Sequence, residues 1–192
     1  MGECHGHERD AAVTATAPRR AVFFDRDGTL NEAVIRNGHP YPPAGPAEMI
    51  LMPGAEAALQ RLKAAGLLLV VATNQPDVAK GLTSREIVEA MNRWLAARLP
   101  IDDIEVCWCL EGPDCKCYKP LPGMLFDAAA RHNIRLDQSF MVGDRWRDIG
   151  AGKAAGCYTI WLRNDYDVPR EQPDRTVCSL AEATDVILQQ CR

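Results

Sequence analysis

Ala21-Val22-Phe23-Phe24-Asp25-Arg26-Asp27-Gly28-Thr29-Leu30-Asn31 is the stretch that decides the fold. Its apolar run predicts a short strand, and the strand finishes on a carboxylate. Two later apolar runs also finish on polar residues, Leu69-Val70-Val71-Ala72 on the hydroxyl of Thr73 and Met141-Val142-Gly143 on the carboxylate of Asp144. In an open parallel sheet the ligand crevice lies outside the carboxyl ends of the strands, so residues distant in sequence meet there without special loop design. The three strand ends are therefore expected to converge.

Around these runs, short apolar segments alternate with segments of helical periodicity, the pattern of a parallel sheet covered by helices. The spacing predicts strands over Ala21–Phe24, Leu67–Ala72, Ile104–Trp108, Phe140–Val142 and Tyr158–Leu162, the last closing the main sheet. Helices are expected from Pro53 to Ala65, from a capping box at Thr83-Ser84-Arg85-Glu86 toward Leu99, around Met124 to Ala129, over Arg145–Ala155, and from a second capping box at Ser179-Leu180-Ala181-Glu182 toward Gln190. Pro40, Pro42, Pro43 and Pro46 predict an irregular loop or small flap over Asn37–Pro46. The expected architecture is a Rossmann-like, three-layer α/β sandwich with a central parallel sheet. The stretches Asn31–Met52 and Thr73–Lys119 are too short for a large cap domain, so flap and loops must shield the site from water.

Asp25 and Asp27 stand two residues apart and, if the extended geometry persists, project to one side while Arg26 faces the other. Carboxylates so placed can divide labour, one attacking as nucleophile and the other handling the proton of the leaving group and of water. Anions this close repel each other and a phosphate. A divalent cation relieves that repulsion, and an oxygen set of Asp25, Asp144 and a backbone carbonyl suits Mg²⁺ rather than zinc. Thr73 and Asn74 offer a hydroxyl, an amide and turn N–H groups for phosphate oxygens, and Lys119 can neutralise developing negative charge. Alone, each aspartate would be read as a turn-former and Lys119 as a surface residue.

The 192 residues are 47% hydrophobic and 25% charged, the balance of an ordinary folded domain, and the chain is long enough to bury a core unaided by disulfides or metal. A net charge of −4 argues against nucleic acid as the partner. The apolar stretch Leu67–Ala72 falls far short of the roughly 20 residues of a membrane helix. Residues 1–19 lack an apolar signal region and are expected to form a loose tail before a single domain over 20–192, in a monomeric, cytoplasmic protein. Cys4, His5 and His7 in that tail are given no role.

Asp25-Arg26-Asp27-Gly28-Thr29-Leu30-Asn31, Thr73-Asn74-Gln75, Lys119-Pro120 and Gly143-Asp144 resemble the four ordered motifs of haloacid dehalogenase superfamily phosphatases. The resemblance covers most of residues 20 to 163. The wording of the first motif, with a cysteine loop just before Lys119-Pro120-Leu121-Pro122-Gly123, is similar to the branch of heptose bisphosphate and histidinol-phosphate phosphatases. The resemblance implies an aspartyl-phosphate mechanism with Asp25 as nucleophile and Asp27 as general acid and base. It places Thr73 and Lys119 on the phosphoryl oxygens, and Mg²⁺ on Asp25, the Asp27 carbonyl and Asp144. Asp148, one turn beyond Asp144, is a candidate for orienting this group, and Arg145 for substrate contact. The implied substrate is a small sugar phosphate, first D-glycero-D-manno-heptose 1,7-bisphosphate dephosphorylated at position 7, with histidinol phosphate as the alternative. A polynucleotide substrate is disfavoured by the acidic balance. Outside enzymes, a zinc-dependent interaction module whose aspartates only cap turns would account for the same residues.

Cys107, Cys109, Cys115 and Cys117 place four soft ligands close together, a zinc pattern, although Cys-x-Cys is not the commonest spacing. Disulfides are the competing explanation, weakened by the missing signal peptide. In the resembling branch this loop binds zinc and shapes substrate access, with a His usual at the position of Cys109. The chain also departs at Tyr118, where the branch usually carries Arg; one hydroxyl replaces a guanidinium able to hold a distal phosphate bidentately, which weakens the case for a bisphosphate. Pro76-Asp77-Val78 is a further departure. Cys157, Cys178 and Cys191 are read as reduced thiols without function.

Overall fold

A computed structural model describes residues 17–191, so the Cys4, His5 and His7 cluster lies outside the described residues. In chain order the elements are β1 (Ala21–Phe24), β2 (Val34–Arg36), β3 (His39–Tyr41), α1 (Ala55–Ala64), β4 (Leu68–Asn74), α2 (Arg85–Ala96), β5 (Asp103–Cys107), α3 (Gly123–His132), β6 (Phe140–Gly143), α4 (Trp146–Ala155), β7 (Tyr158–Leu162), β8 (Arg175–Val177) and α5 (Leu180–Gln190). Six strands form one parallel sheet in the order β5-β4-β1-β6-β7-β8.

Because side chains alternate across a strand, β1 serves two cores at once. Val22 and Phe24 join Leu69 and Val71 on the face covered by α1, α2 and α5, through Leu59, Leu62, Met91, Leu95 and Ile187. Phe23 joins Val70 and Met141 on the opposite face, against Met124, Leu125 and Ala128 of α3. The result is the expected three-layer α/β sandwich. β1 lies between β4, to which the chain passes first, and β6, to which it returns later. Its carboxyl end is thus the switch point where the connections diverge, and Asp25 begins there.

Three local expectations need correction. The proline-rich stretch is not wholly irregular: β2 and β3 pair antiparallel, with Ile35 opposite Pro40. Asn37 and Gly38 both have positive φ, 50° and 75°, as a tight two-residue hairpin turn requires. Proline is compatible with such an edge strand because its missing N–H costs nothing on the unpaired side. Second, β7 does not end the sheet; β8 adds beyond it, a three-residue strand too short to carry a periodic signal. Third, Ser84 rather than Thr83 caps α2, accepting a hydrogen bond from the Ile87 N–H. The box at Ser179 is as expected at its cap: the hydroxyl accepts from the Glu182 N–H, while the Glu182 carboxylate accepts from Cys178 N–H.

Removing the Ser179 hydroxyl leaves a donor at the start of α5 without its capping partner, at a cost of about 1 kcal/mol. Ser179→Ala is expected to lower the urea midpoint accordingly, with an unchanged m-value, in equilibrium denaturation.

Candidate active site

Lys119 sits at the centre of the crevice. Its ammonium is buried and donates to Asp25 Oδ1 at 2.8 Å, Asp148 Oδ1 at 2.6 Å and the Ala72 carbonyl at 2.7 Å. Three elements are thereby joined to one nitrogen: the end of β1, the body of β4 and the first turn of α4. Lys119 is itself held by Asn74, whose Oδ1 accepts from the Lys119 N–H at 3.0 Å and whose Nδ2 donates to the Lys119 carbonyl at 3.2 Å. Asn74 was expected to touch substrate through its amide. In the structure that amide is engaged with the Lys119 backbone and positions the lysine, while Asn74 also lines the cleft.

Asp144, at the end of β6, accepts from the Thr29 hydroxyl at 2.9 Å and from the Tyr166 hydroxyl at 2.6 Å. Asp25, Asp144 and Asp148 bring carboxylate oxygens within 4.8 Å of one another, all three being buried. One ammonium cannot balance three carboxylates. Burial pushes the Asp25 carboxyl up to about 6, against the pull of Lys119, with Asp148 adding to the rise. Burial, then the charges of Asp25 and Asp148, hold Asp144 well above the ordinary carboxylate range. Burial alone would lower the Lys119 ammonium, but Asp148 and Asp25 outweigh it and drive it upward, so the lysine stays charged. The surplus of hard anionic oxygen suits a divalent cation such as Mg²⁺.

Asp27 is held differently. Burial alone would raise its carboxyl, but the Arg26 guanidinium and hydrogen bonds from Asn31 and Gln75 bring it below the usual value. Arg26 Nη2 lies 2.9 Å from Oδ2, Asn31 Nδ2 3.0 Å from Oδ1 and Gln75 Nε2 2.9 Å from Oδ2. The expectation that Arg26 faces away from the carboxylates is thus corrected. Its backbone sits in a turn after β1, and its side chain is fully buried, bridging Asp27 to Asn92 of α2 at 2.8 Å. Gln75 also donates to the Thr73 hydroxyl at 2.9 Å.

Asp25, Asp27, Thr73, Asn74, Lys119, Arg145 and Asp148 line one open cleft of about 430 Å³, roofed in part by Pro40, Tyr41 and Pro42 of the hairpin. Asp144 lies beneath it among its buried partners. Arg145 donates through Nε to Asp167 at 2.8 Å. Sequence reasoning missed Gln75 as a partner of Asp27, and it missed Tyr166 and Asn164. Asn164 donates to the Asp144 carbonyl at 2.7 Å. The same rule that flagged Asp25 and Asp144 could have found these two, since Asn164-Asp165-Tyr166 follows the carboxyl end of β7.

The four cysteines of the loop after β5 also meet. Sulfur–sulfur separations are 3.6 Å for Cys107–Cys115, Cys109–Cys117 and Cys115–Cys117, and 2.7 Å for Cys107–Cys117. All four are free thiols. A tetrahedral zinc with bonds of about 2.3 Å sets sulfurs roughly 3.8 Å apart, near the three longer separations. Burial pushes Cys117 up to about 12, whereas Cys115, despite its own burial, is drawn down to about 7 by donors from Cys109 and the backbone.

The family model for haloacid dehalogenase-like hydrolases matches residues 43–156. The chain belongs to that family and is a phosphatase. It is 40% identical to the D-glycero-beta-D-manno-heptose-1,7-bisphosphate 7-phosphatase of Rhodopseudomonas palustris, over 75% of this chain and 84% of that protein. It is also 40% identical to the enzyme of the same name from Pasteurella multocida, over 71% of this chain and 77% of that one. Among solved structures, the D,D-heptose 1,7-bisphosphate phosphatase of B. bronchiseptica, complexed with magnesium and phosphate, superposes with a TM-score of 0.76 at 30% identity, covering 89% of this chain and 99% of that one. Among the described residues no helix is long and apolar enough to cross a membrane.

Gly28 turns the chain at φ 93°, and a Cβ there would collide with Asp144 Oδ2 and the Tyr166 hydroxyl. Gly28→Ala is therefore expected to lower stability by about 1–3 kcal/mol and to cut turnover of a chromogenic phosphomonoester more than about tenfold. Denaturation midpoints and steady-state rates check the two effects separately.

Proposed function

We propose that this protein removes the 7-phosphate from D-glycero-β-D-manno-heptose 1,7-bisphosphate through a phosphoryl group carried on Asp25. The observation that carries the proposal is the clustering of Asp25, Asp144 and Asp148 around the single ammonium of Lys119 at the switch point of the sheet. The names of the relatives supply the substrate. The cleft, lined by both polar and apolar groups, has the size of a small-molecule site.

Chemically, an Asp25 carboxylate oxygen attacks phosphorus and the bond to the sugar oxygen breaks, with Lys119 countering charge on the phosphoryl oxygens. Thr73, at the carboxyl end of β4, offers its hydroxyl to the same group. Asp27 supplies the proton that the departing sugar oxygen needs. In the second half-reaction water attacks phosphorus, Asp27 takes its proton, and the Asp25 carboxylate is restored. The donors around Asp27 favour its ionised form, which takes the proton from water in the second half-reaction, and the proton so gained is the one Asp27 hands to the sugar oxygen of the next turnover. Arg26 and Gln75 position Asp27. Asp25, Asp144 and the Asp27 carbonyl would hold Mg²⁺, which when bound supplies charge neutralisation and polarises a phosphoryl oxygen. Arg145, at the start of α4, is a substrate contact.

The Cys107, Cys109, Cys115 and Cys117 cluster would hold a structural Zn²⁺. The cluster ends two residues before Lys119, and the Gly123 N–H donates to the Lys116 carbonyl at 3.2 Å, so ordering the loop orders the approach to the lysine.

Three measurements test these assignments. Asp25→Asn is expected to lose phosphate release by at least about a thousandfold while keeping the wild-type circular dichroism and zinc content, with heptose bisphosphate and histidinol phosphate assayed in parallel with Mg²⁺. Elemental analysis of protein purified under reducing conditions is expected to find zinc equimolar with the chain. A chelator that strips zinc and spares Mg²⁺ should raise KM more than it lowers kcat. Protein without zinc would remove the metal from this loop.

A further inference from the structure

The cleft holds four basic side chains, each paired with a nearby carboxylate. Lys119 faces Asp25 and Asp148, Arg145 faces Asp167, and Lys80 faces Asp77 at 2.9 Å. Arg147 differs in that its carboxylate is the one most open to water. Its one hydrogen bond runs from Nη2 to Glu111 Oε2 at 2.6 Å, and the Glu111 side chain is 59% exposed. A pair so open to water contributes little and is easily exchanged for another anion. The Arg147 Nε is buried and finds no acceptor among the described residues.

The guanidinium is nevertheless fixed in place. Its carbon lies 5.6 Å from the centre of the Tyr118 ring and 4.5 Å from that of Trp146. Arginine keeps its charge and its planar donor fork when it rests against aromatic faces, so these contacts hold it without neutralising it. It also stands in the first turn of α4, where the helix dipole disfavours a cation and favours an anion. Helix stability does not account for the placement.

The position fits a second anion. Arg147 packs on Tyr118, and both line the same cleft as Lys119 and Asp148, the groups at the reacting end. A substrate with two phosphates brings one to Asp25 and Lys119 and leaves the other in want of a cation. Tyr118, with a single hydroxyl, cannot supply it. We propose that Arg147, resting between Tyr118 and Trp146, binds the non-reacting phosphate of the bisphosphate and displaces Glu111 to do so. The assignment rests on the bisphosphatase reading above and names the group by which that site tells two phosphates from one.

The test compares kcat/KM for heptose 1,7-bisphosphate and for the same sugar carrying only the 7-phosphate, with Mg²⁺, in the full-length protein. The ratio of the two constants is the readout, because any loss of folded enzyme cancels in it. In wild type the ratio favours the bisphosphate. In Arg147→Ala it is expected to fall tenfold or more, the loss falling mainly in KM, as truncating one partner of a charge-assisted contact implies. A smaller change overturns the assignment. Should the alanine variant not fold, Arg147→Lys carries the same readout: it retains the charge without the fork, with a fall of threefold or more expected and a smaller one overturning the role. A wild-type enzyme that hydrolyses both sugars without preference removes the role of Arg147 and leaves the phosphatase standing. One that hydrolyses neither removes both.

Discussion

One buried ammonium organises this protein. Lys119 Nζ reaches the end of β1 through Asp25, the body of β4 through Ala72 and the first turn of α4 through Asp148. These pieces lie far apart in the chain, and the contacts could not form unless β1 were placed between β4 and β6. The lysine does not balance the charge around it: Asp25, Asp144 and Asp148 outnumber it in a site that water scarcely reaches. Leaving such a surplus uncompensated is costly in a buried environment. A hard dication bound there would relieve that cost.

Around this centre the supporting contacts divide the carboxylates by role. Asp25 meets the cleft with one oxygen held by Lys119. Asp144 is turned inward by Thr29 and Tyr166, and Asp148 is fixed by Lys119 and the Arg145 N–H. At Asp27 the donors Arg26, Asn31 and Gln75 outweigh burial and hold the carboxyl below the usual value. These acids in and beneath one cleft thus have different hydrogen-bond surroundings, which is what the proposed division into nucleophile, proton carrier and metal ligands needs. With no large cap among the described residues, Pro40 and Tyr41 of the hairpin line the cleft, and the cysteine loop carries Glu111 to Arg147.

Much of the fold was legible because its signals are local. The apolar runs of β1, β4, β6 and β7, the Ser179 cap and the glycine at position 28 can each be read from neighbouring residues. The errors have local causes too. Proline counts obscured the Asn37-Gly38 turn that makes the hairpin, β8 is too short to show a pattern, and at α2 adjacent Thr83 and Ser84 offered alternative caps. Arg26 was misread because alternation holds for a strand, and the chain has already entered a turn there.

By itself the sequence determined the α/β class, the strand ends that converge, the four cysteines near residues 107–117 and the choice of Asp25, Asp27, Lys119 and Asp144 as candidate site residues. All of these follow from period, residue type and short spacing. Tertiary structure alone decided that Asn74 holds a lysine, that Arg26 and Gln75 hold Asp27, that Tyr166 supports Asp144, and that Arg147 rests on Tyr118. Each of those depends on which side chain another element brings within about 3–6 Å, and sequence spacing carries no record of such long-range approaches.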